Sequence, residues 1–154
     1  MSVVRDDNRT KEILEALQEL NGQYVEIGVL GDDGKGDVNI VEIATIHEFG
    51  APRANIPERS FIRANFDKHE DEYFEQIKGY LDRVLQGEIR AKTLYTKMGQ
   101  TVAQDTQKHI RARIPPSLQA STLKARRRRG NTGTTPLIDT GRLIGAISYE
   151  VKSK

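Results

Sequence analysis

A histidine followed by a glutamate, the first half of the zinc-protease pattern HExxH, occurs twice in this chain. His47-Glu48 would need a second histidine at position 51, which is Ala, and His69-Glu70 would need one at position 73, which is Tyr. Protein zinc sites take three or four His, Cys or carboxylate ligands. With three histidines and no cysteine, the sequence predicts no metal site. His47 lies on the apolar face of a predicted helix, which favours a structural histidine satisfied by hydrogen bonds.

Other catalytic patterns are also missing from the sequence. It contains no Gly-x-Ser-x-Gly turn for a nucleophilic serine and no Gly-x-x-x-x-Gly-Lys-Ser/Thr loop for phosphates. Adjacent acids such as Asp71-Glu72 lie on a predicted exposed helix, where a solvated face is the simpler interpretation. We therefore predict that the chain is not an enzyme, with no catalytic residue and no cofactor.

The glycine- and aspartate-rich segment at 31–37 superficially resembles a calcium-binding loop. Its ligand spacing is wrong for such a loop, and no glutamate stands at the twelfth position. We interpret it as a flexible, solvated loop that becomes ordered on contact with a partner. Its candidate interaction residues are Asp32, Asp33, Lys35 and Asp37.

The run of basic residues at 124–129 is the sharpest electrostatic feature. Guanidinium groups suit phosphates and carboxylates, so two partners stay open: the backbone of DNA, bound non-specifically, or an acidic protein face. No aromatic residue is interleaved, so stacking on single-stranded bases is not indicated. The candidate interaction residues here are Lys124, Arg126, Arg127, Arg128 and Arg129.

Charge is unevenly distributed along the chain. Residues 1–107 hold 13 Lys+Arg and 20 Asp+Glu, a net charge of −7, whereas residues 108–154 hold 11 and 2, a net charge of +9. An acidic part and a basic part on one chain suit head-to-tail contacts between copies. Because the chain carries its own acidic complement, we favour protein docking over DNA for the arginine run.

The length of 154 residues favours a single domain over 1–154. Within it, hydrophobic periodicity predicts a long helix pair and two strands that can pair as a small sheet. The first helix, capped by Asn8 or Thr10, has an apolar face, and Gln23 to Leu30 alternates as a strand. A second helix runs from Val38 to Phe49. The apolar face of the first helix comprises Ile13, Leu14, Leu17 and Leu20.

Two long amphipathic segments, 63–86 and 88–113, predict the helix pair, with Gly87 between them. The stripe of the first includes Phe66, Tyr73 and Phe74. Pro115-Pro116 ends the second helix. A short helix capped by Ser121 follows, then a second flexible loop at 129–136.

The end of the chain predicts a capped turn and a closing strand. Asp139 or Thr140 is a candidate cap for a last short helix. Residues 146–151 alternate as a strand able to pair with 24–30.

Two segments carry a family resemblance. The first is Ile43-Ala44-Thr45-Ile46-His47-Glu48-Phe49-Gly50, followed by residues 55–63. The second is Ser121-Thr122-Leu123 with the arginine run, then Pro136-Leu137-Ile138-Asp139-Thr140-Gly141-Arg142-Leu143. In this order around a helical middle, they resemble the phage virion-morphogenesis and tail-completion proteins, including HK97 gp10-like neck proteins. The similarity covers roughly residues 24–151, although Ser60 stands where relatives often have proline.

The resemblance implies a small α+β structural protein, with a small antiparallel sheet packed against the long helix pair. It would assemble as a ring at the tail end or neck of a tailed-phage particle. Its partners would be copies of itself and tail-tube, tail-terminator or connector proteins, with non-specific contact to packaged DNA as a further option. It implies assembly in the host cytoplasm and a place in the virion. No membrane partner is expected, because no apolar run approaches a membrane span.

Within these segments we expect residues that define the fold. Phe49 would form an aromatic plug and Gly50 a sharp helix exit, while Ile56-Pro57 forces extended backbone. Phe61 would bury against the sheet. The full set of expected fold-defining residues is His47, Phe49, Gly50, Pro57, Phe61, Asp139, Thr140 and Gly141.

Overall fold

A computed structural model describes residues 7–31 and 39–154. Over these residues the chain forms six α-helices and two strands, which confirms the α+β class. The elements are α1 (Asp7–Asn21), β1 (Gln23–Val29), α2 (Ile40–Phe49), α3 (Arg63–Leu85), α4 (Ala91–Arg111), α5 (Ala120–Arg128), α6 (Arg142–Ala146) and β2 (Ile147–Ser153). A short 3₁₀ turn, Pro52–Ala54, follows α2.

The two long helices, α3 and α4, form the predicted antiparallel pair. Val84 and Leu94 share a buried cluster next to the connecting turn. At the far end of the pair, Asn65 Nδ2 on α3 donates a hydrogen bond to Thr106 Oγ1 on α4 at 3.2 Å. Gly87 reverses the chain with a φ of 78°, a left-handed conformation that glycine adopts without steric cost.

The sheet consists of β1 and β2, paired antiparallel with Gln23 opposite Ser153 and Val29 opposite Ile147. The predicted closing strand is thus confirmed, one residue later than its expected start. The sheet lies against α4, where Gly99 allows the close approach. A Cβ on Gly99 would stand 2.5 Å from Cδ2 of Tyr149 on β2.

A small polar network lies inside the helix pair. Asn65 is fully buried and donates to Tyr73 Oη at 3.1 Å as well as to Thr106. The Tyr73 hydroxyl in turn lies 3.4 Å from Asp105 Oδ2. Burial raises the pKa of Tyr73 to about 12, so the hydroxyl stays protonated and can donate to Asp105.

Several predicted details of the helices are wrong. Helix α1 begins at Asp7, so Asn8 and Thr10, the predicted caps, both lie within the helix. On the same helix, Leu14 and Leu17 are 55% and 46% exposed. Helix α1 instead packs through Ala16 and Leu20, because its contacts with α3 and α4 use only the edge of its apolar face.

The apolar stripe predicted for α3 also faces the core only in part. Tyr73 and Val84 are buried, but Phe66 and Phe74 are 44% and 51% exposed. The stripe is wider than the surface that α4 covers. Part of it therefore lies on the surface beside the acidic residues of the same helix.

Candidate interaction site

Helix α2 and its exit include residues 43–50. The Asn39 side chain caps the helix by accepting a hydrogen bond from Val41 N at 2.7 Å. As predicted, Gly50 ends it, with a φ of 73°. A Cβ at Gly50 would lie 2.8 Å from the backbone nitrogen of Glu58, so the returning chain needs glycine there.

Phe49 is not the aromatic plug that the sequence predicts. Its side chain is 59% exposed, and the guanidinium of Arg63 lies 4.7 Å from its ring centroid. Phe61 is the true anchor of this segment, being fully buried in the core with Ile40 and Ala44. Pro57 lies just after Ile56, which forms an isolated antiparallel bridge with Ala51.

Glu48 organises the junction between α2 and α3. Its side chain is buried, and its carboxylate accepts hydrogen bonds from the backbone nitrogens of Phe61, Ile62 and Arg63 at 2.8, 3.0 and 3.1 Å. It also accepts from Ser60 Oγ at 2.7 Å and from Arg63 Nε at 3.1 Å. The carboxylate therefore satisfies the unpaired N–H groups at the start of α3 and places its charge at the positive end of that helix.

The protonation of Glu48 follows from these contacts. Burial acts to raise the pKa of Glu48, but the hydrogen bonds from Ile62, Ser60, Arg63 and Phe61 outweigh it and hold the pKa below its ordinary value of 4.5. Glu48 is thus an ionised structural group whose acceptor sites are used within the chain.

Arg59 is buried next to this junction with a different set of partners. It is 6% exposed, and its Nε and Nη2 donate to the carbonyl of Pro116 at 3.0 and 2.8 Å. Within the part of the chain that the structure describes, no carboxylate lies within ion-pair distance of its guanidinium. Burial lowers the pKa of Arg59, yet an arginine stays charged in proteins, so among the described residues this buried charge is balanced by carbonyl dipoles alone.

The arginine run divides into one buried and three exposed members. Arg126 is 5% exposed, and its Nη1 donates to the carbonyls of Gly133 and Thr135 at 3.1 and 3.0 Å. Arg127, Arg128 and Arg129 are exposed. Arg126 thus supports the loop at 129–136 from inside, and the exposed basic face consists of Lys124 and the three remaining arginines.

Asp139 links the arginine run to the turn before the last helix. Its Oδ2 accepts from Arg129 Nη2 at 2.9 Å, and its Oδ1 lies 3.5 Å from Arg126 Nε. Asn131 Nδ2 donates to the same Oδ1 at 2.6 Å. The prediction that Asp139 caps the last helix is therefore wrong, because the carboxylate is held by the arginines and Asn131.

The other predicted cap, Thr140, does contact the start of the last helix. Gly141 occupies the cap position with a φ of 83°, and Thr140 Oγ1 accepts a hydrogen bond from Arg142 N at 3.5 Å. Ser121, by contrast, lies inside α5, whose cap position is Gln119. Leu143 of the last helix is buried in the core.

These groups line a cleft of about 450 Å³ between α2, α5 and the segment 137–143. Part of its wall is apolar, formed by Ile40, Ile43, Leu118, Leu137 and Leu143. The rest is polar, formed by His47, Arg59, Thr122, Arg126, Arg129, Asp139, Thr140, Gly141 and Arg142. The cleft thus brings together arginines from three parts of the chain around one carboxylate among the described residues.

His47 lies in the wall of this cleft and is not satisfied as the sequence predicts. Its Nδ1 is buried with no hydrogen-bond partner among the residues that the structure describes. Burial lowers the pKa of His47, and the nearby charge of Arg59 lowers it further. The ring is therefore neutral at neutral pH, and it adds a polar atom to the cleft without adding charge.

The remaining predicted interaction residues fall elsewhere. Asp32, Asp33, Lys35 and Asp37 lie outside the described residues. Among the described residues, no group of three or more His, Cys, Asp or Glu is placed to hold a metal ion. No described helix is both long and apolar enough to cross a membrane.

No family model, curated protein or solved structure that was compared with this chain matches it. The functional argument therefore depends on the residues themselves. Glu48, Arg59 and Asn65 were missed at the level of sequence. The available signals were a glutamate two residues before the helix-ending glycine, an arginine two residues before a phenylalanine, and an asparagine near the start of a long helix.

Proposed function

We propose that this chain is a structural component of a tailed-phage particle, a tail-completion or head–tail joining protein that acts by assembling into a ring. The family-like segments at 43–63 and 121–143 suggest the role. The proposal includes a place in the virion after assembly in the host cytoplasm. Copies of the chain and tail-tube, tail-terminator or connector proteins would be the partners.

The observation that carries the assembly mechanism is a pair of oppositely charged surfaces. Helix α3 exposes a row of acids, Asp67, Glu70, Asp71, Glu72 and Glu75. Helix α5 exposes Lys124, Arg127 and Arg128. Different patches on one chain that complement each other produce head-to-tail contacts, and such contacts close into rings when the rotation between copies allows it.

Exposed apolar side chains on the acidic surface support the same mechanism. Phe66 and Phe74 lie on α3 among the acids and are about half exposed. An aromatic centre with a charged rim is a common composition for a protein interface. We expect the aromatic side chains of Phe66 and Phe74 to be buried when copies associate.

Light scattering of the purified protein, at low and high salt and with tail-tube protein added, tests this function. We expect oligomers that weaken at high salt, and we expect the double variant Arg127→Glu with Arg128→Glu to disrupt them. Arg53→Glu changes an exposed arginine outside both surfaces and serves as the control. A protein that stays monomeric under all these conditions contradicts the proposal.

A second function, binding of duplex DNA, is favoured by the exposed basic face of α5. Because Arg126 is buried, this function would depend on Lys124, Arg127, Arg128 and Arg129. Fluorescence anisotropy with labelled duplex at several salt concentrations tests it. Replacing Arg127 and Arg128 with Ala should weaken binding and reduce the salt slope by roughly 0.9 for each phosphate that is no longer neutralised. No binding by the wild type at low salt contradicts it.

A further inference from the structure

Among the described residues, the cleft between α2, α5 and segment 137–143 contains more buried positive charge than its one carboxylate balances. Arg59 and Arg126 are 6% and 5% exposed, and Arg129 also lines the wall. Asp139, the single carboxylate among the described lining residues, is shared between Arg126 and Arg129. A buried charge without a counter-charge is unfavourable, so the binding of an anion at this wall would be favourable.

The apolar part of the wall narrows the choice of anion. Five aliphatic side chains line the cleft beside the arginines. A phosphodiester backbone would leave that aliphatic surface without a matching apolar group. A peptide that carries a carboxylate next to aliphatic side chains satisfies both parts of the wall, and arginine pairs with carboxylates in bidentate geometry.

We propose that this cleft binds a short acidic peptide segment of a partner protein, with a Glu or Asp carboxylate at the arginines and an aliphatic neighbour against the leucine and isoleucine side chains. The volume of about 450 Å³ lies in the range of roughly 300–1,000 Å³ typical of small-ligand pockets. The inference goes beyond ring assembly, because a monomeric chain can also hold the peptide.

Calorimetric titration with an acetylated, amidated Leu-Glu-Glu-Leu peptide tests the proposal, with Leu-Gln-Gln-Leu as its uncharged twin. We expect the glutamate peptide to bind at least about tenfold more tightly, since charge-assisted hydrogen bonds are the stronger ones. Arg129→Gln should weaken binding by a similar factor. Arg127→Gln removes the same charge from the same arginine run but outside the cleft, and it should change binding by less than about twofold.

A second pair of variants separates the cleft from general surface charge. Thr122 is exposed and lines the cleft, whereas Ser121 is exposed and does not. Thr122→Trp should obstruct the cleft and abolish peptide binding without altering charge, while Ser121→Trp should leave binding intact. Urea unfolding of each variant verifies that it is folded.

Nuclear magnetic resonance then locates the peptide. The ring signals of His47 in the cleft wall should shift on titration, and those of His69, outside the cleft on α3, should not. Equal binding of the two peptides, no binding by the wild type, or no effect of Thr122→Trp overturns the proposal. The proposal is also overturned if the protein binds duplex DNA and Arg127→Gln and Arg129→Gln weaken that binding equally. That result would favour a DNA site on the surface. Light scattering reports on ring assembly separately, so either proposal can fail alone.

Discussion

Glu48 and Arg59 are buried to nearly the same degree, 5% and 6% exposed, but their charges are balanced in opposite ways. Glu48 accepts five hydrogen bonds from the start of α3, including one from a charged arginine. Among the described residues, Arg59 donates only to backbone carbonyls. A buried charge that is paired with an opposite charge within the chain stabilises one conformation and has little capacity left for a ligand.

A similar contrast separates the Glu48 junction from the arginine cluster. At the Glu48 junction, the donors and acceptors are paired with each other. The cluster of Arg126, Arg129 and Asp139 faces a cleft, where one carboxylate serves two guanidiniums. A charged group that is fully paired within the chain thus indicates a structural role. Guanidinium groups that outnumber their carboxylate partners indicate a binding role.

Removing the Glu48 carboxylate should have the largest effect. Glu48→Ala leaves the backbone nitrogens of Phe61 and Ile62 without their acceptor inside the protein, and we expect a decrease of about 3 kcal/mol or more in the free energy of unfolding. Urea denaturation measures it. Glu58→Ala, which removes an exposed partner of Arg63, should cost less than about 1 kcal/mol. Similar decreases for the two variants would show that the Glu48 junction is not special.

The contribution of Glu48 should also depend on pH. Its folded-state pKa lies below the ordinary value of 4.5, so the stabilisation is complete above the unfolded-state pKa and is lost as pH falls through the folded-state pKa. Urea midpoints of the wild type should therefore fall more steeply in acid than those of Glu48→Gln. Parallel pH profiles for the two proteins would contradict this assignment.

Replacing Arg126 should have a smaller effect. Arg126→Met removes hydrogen bonds to Gly133 and Thr135, but Gly133 is exposed and Thr135 partly exposed, so water can take over. We expect the free energy of unfolding to fall by about 1–2 kcal/mol, against less than about 0.5 kcal/mol for Arg127→Met. Urea denaturation of both variants checks this. If Arg126→Met lowers the free energy of unfolding as much as Glu48→Ala does, the arginine cluster is as fully committed to stability as the Glu48 junction, which contradicts the comparison.

Asp139→Asn should have the smallest effect on stability and should increase binding. The amide keeps the shape and an acceptor for Asn131, so the stability cost should be about 1 kcal/mol or less. Removing the only described carboxylate of the cleft should tighten binding of the Leu-Glu-Glu-Leu peptide severalfold in the same calorimetric titration. Weaker binding would mean that Asp139 positions the arginines and does not compete with the ligand.

Helices and strands were predictable because their signals are local. Periodicity over 63–86 and 88–113 predicted α3 and α4, and alternation at both ends of the chain predicted the pairing of β1 with β2. Gly50 marked a helix end because a positive φ favours glycine. The prediction of the α+β class needed only these elements and their order.

Caps and exposure were less predictable because several residues compete for each position. Asn39 caps α2, whereas Ser121 and Asp139, equally good capping types, do not cap their helices. Asp139 has stronger partners in the two arginines and Asn131. Phe49 and Phe74 are exposed although their types favour burial, because a stripe is buried only where another element covers it.

What the sequence determined by itself is the order and type of the elements, the separation of acidic and basic parts, and the arginine run. What only the tertiary structure decided is which charges are balanced. Of the four consecutive arginines, Arg126 is buried and the other three are exposed, because α5 turns Arg126 toward the loop at 129–136. The partners of each buried charge are set by long-range contacts, of residue 48 with 61 and of residue 59 with 116. These contacts surround the Glu48 carboxylate with donors and leave the Arg59 guanidinium with backbone carbonyls.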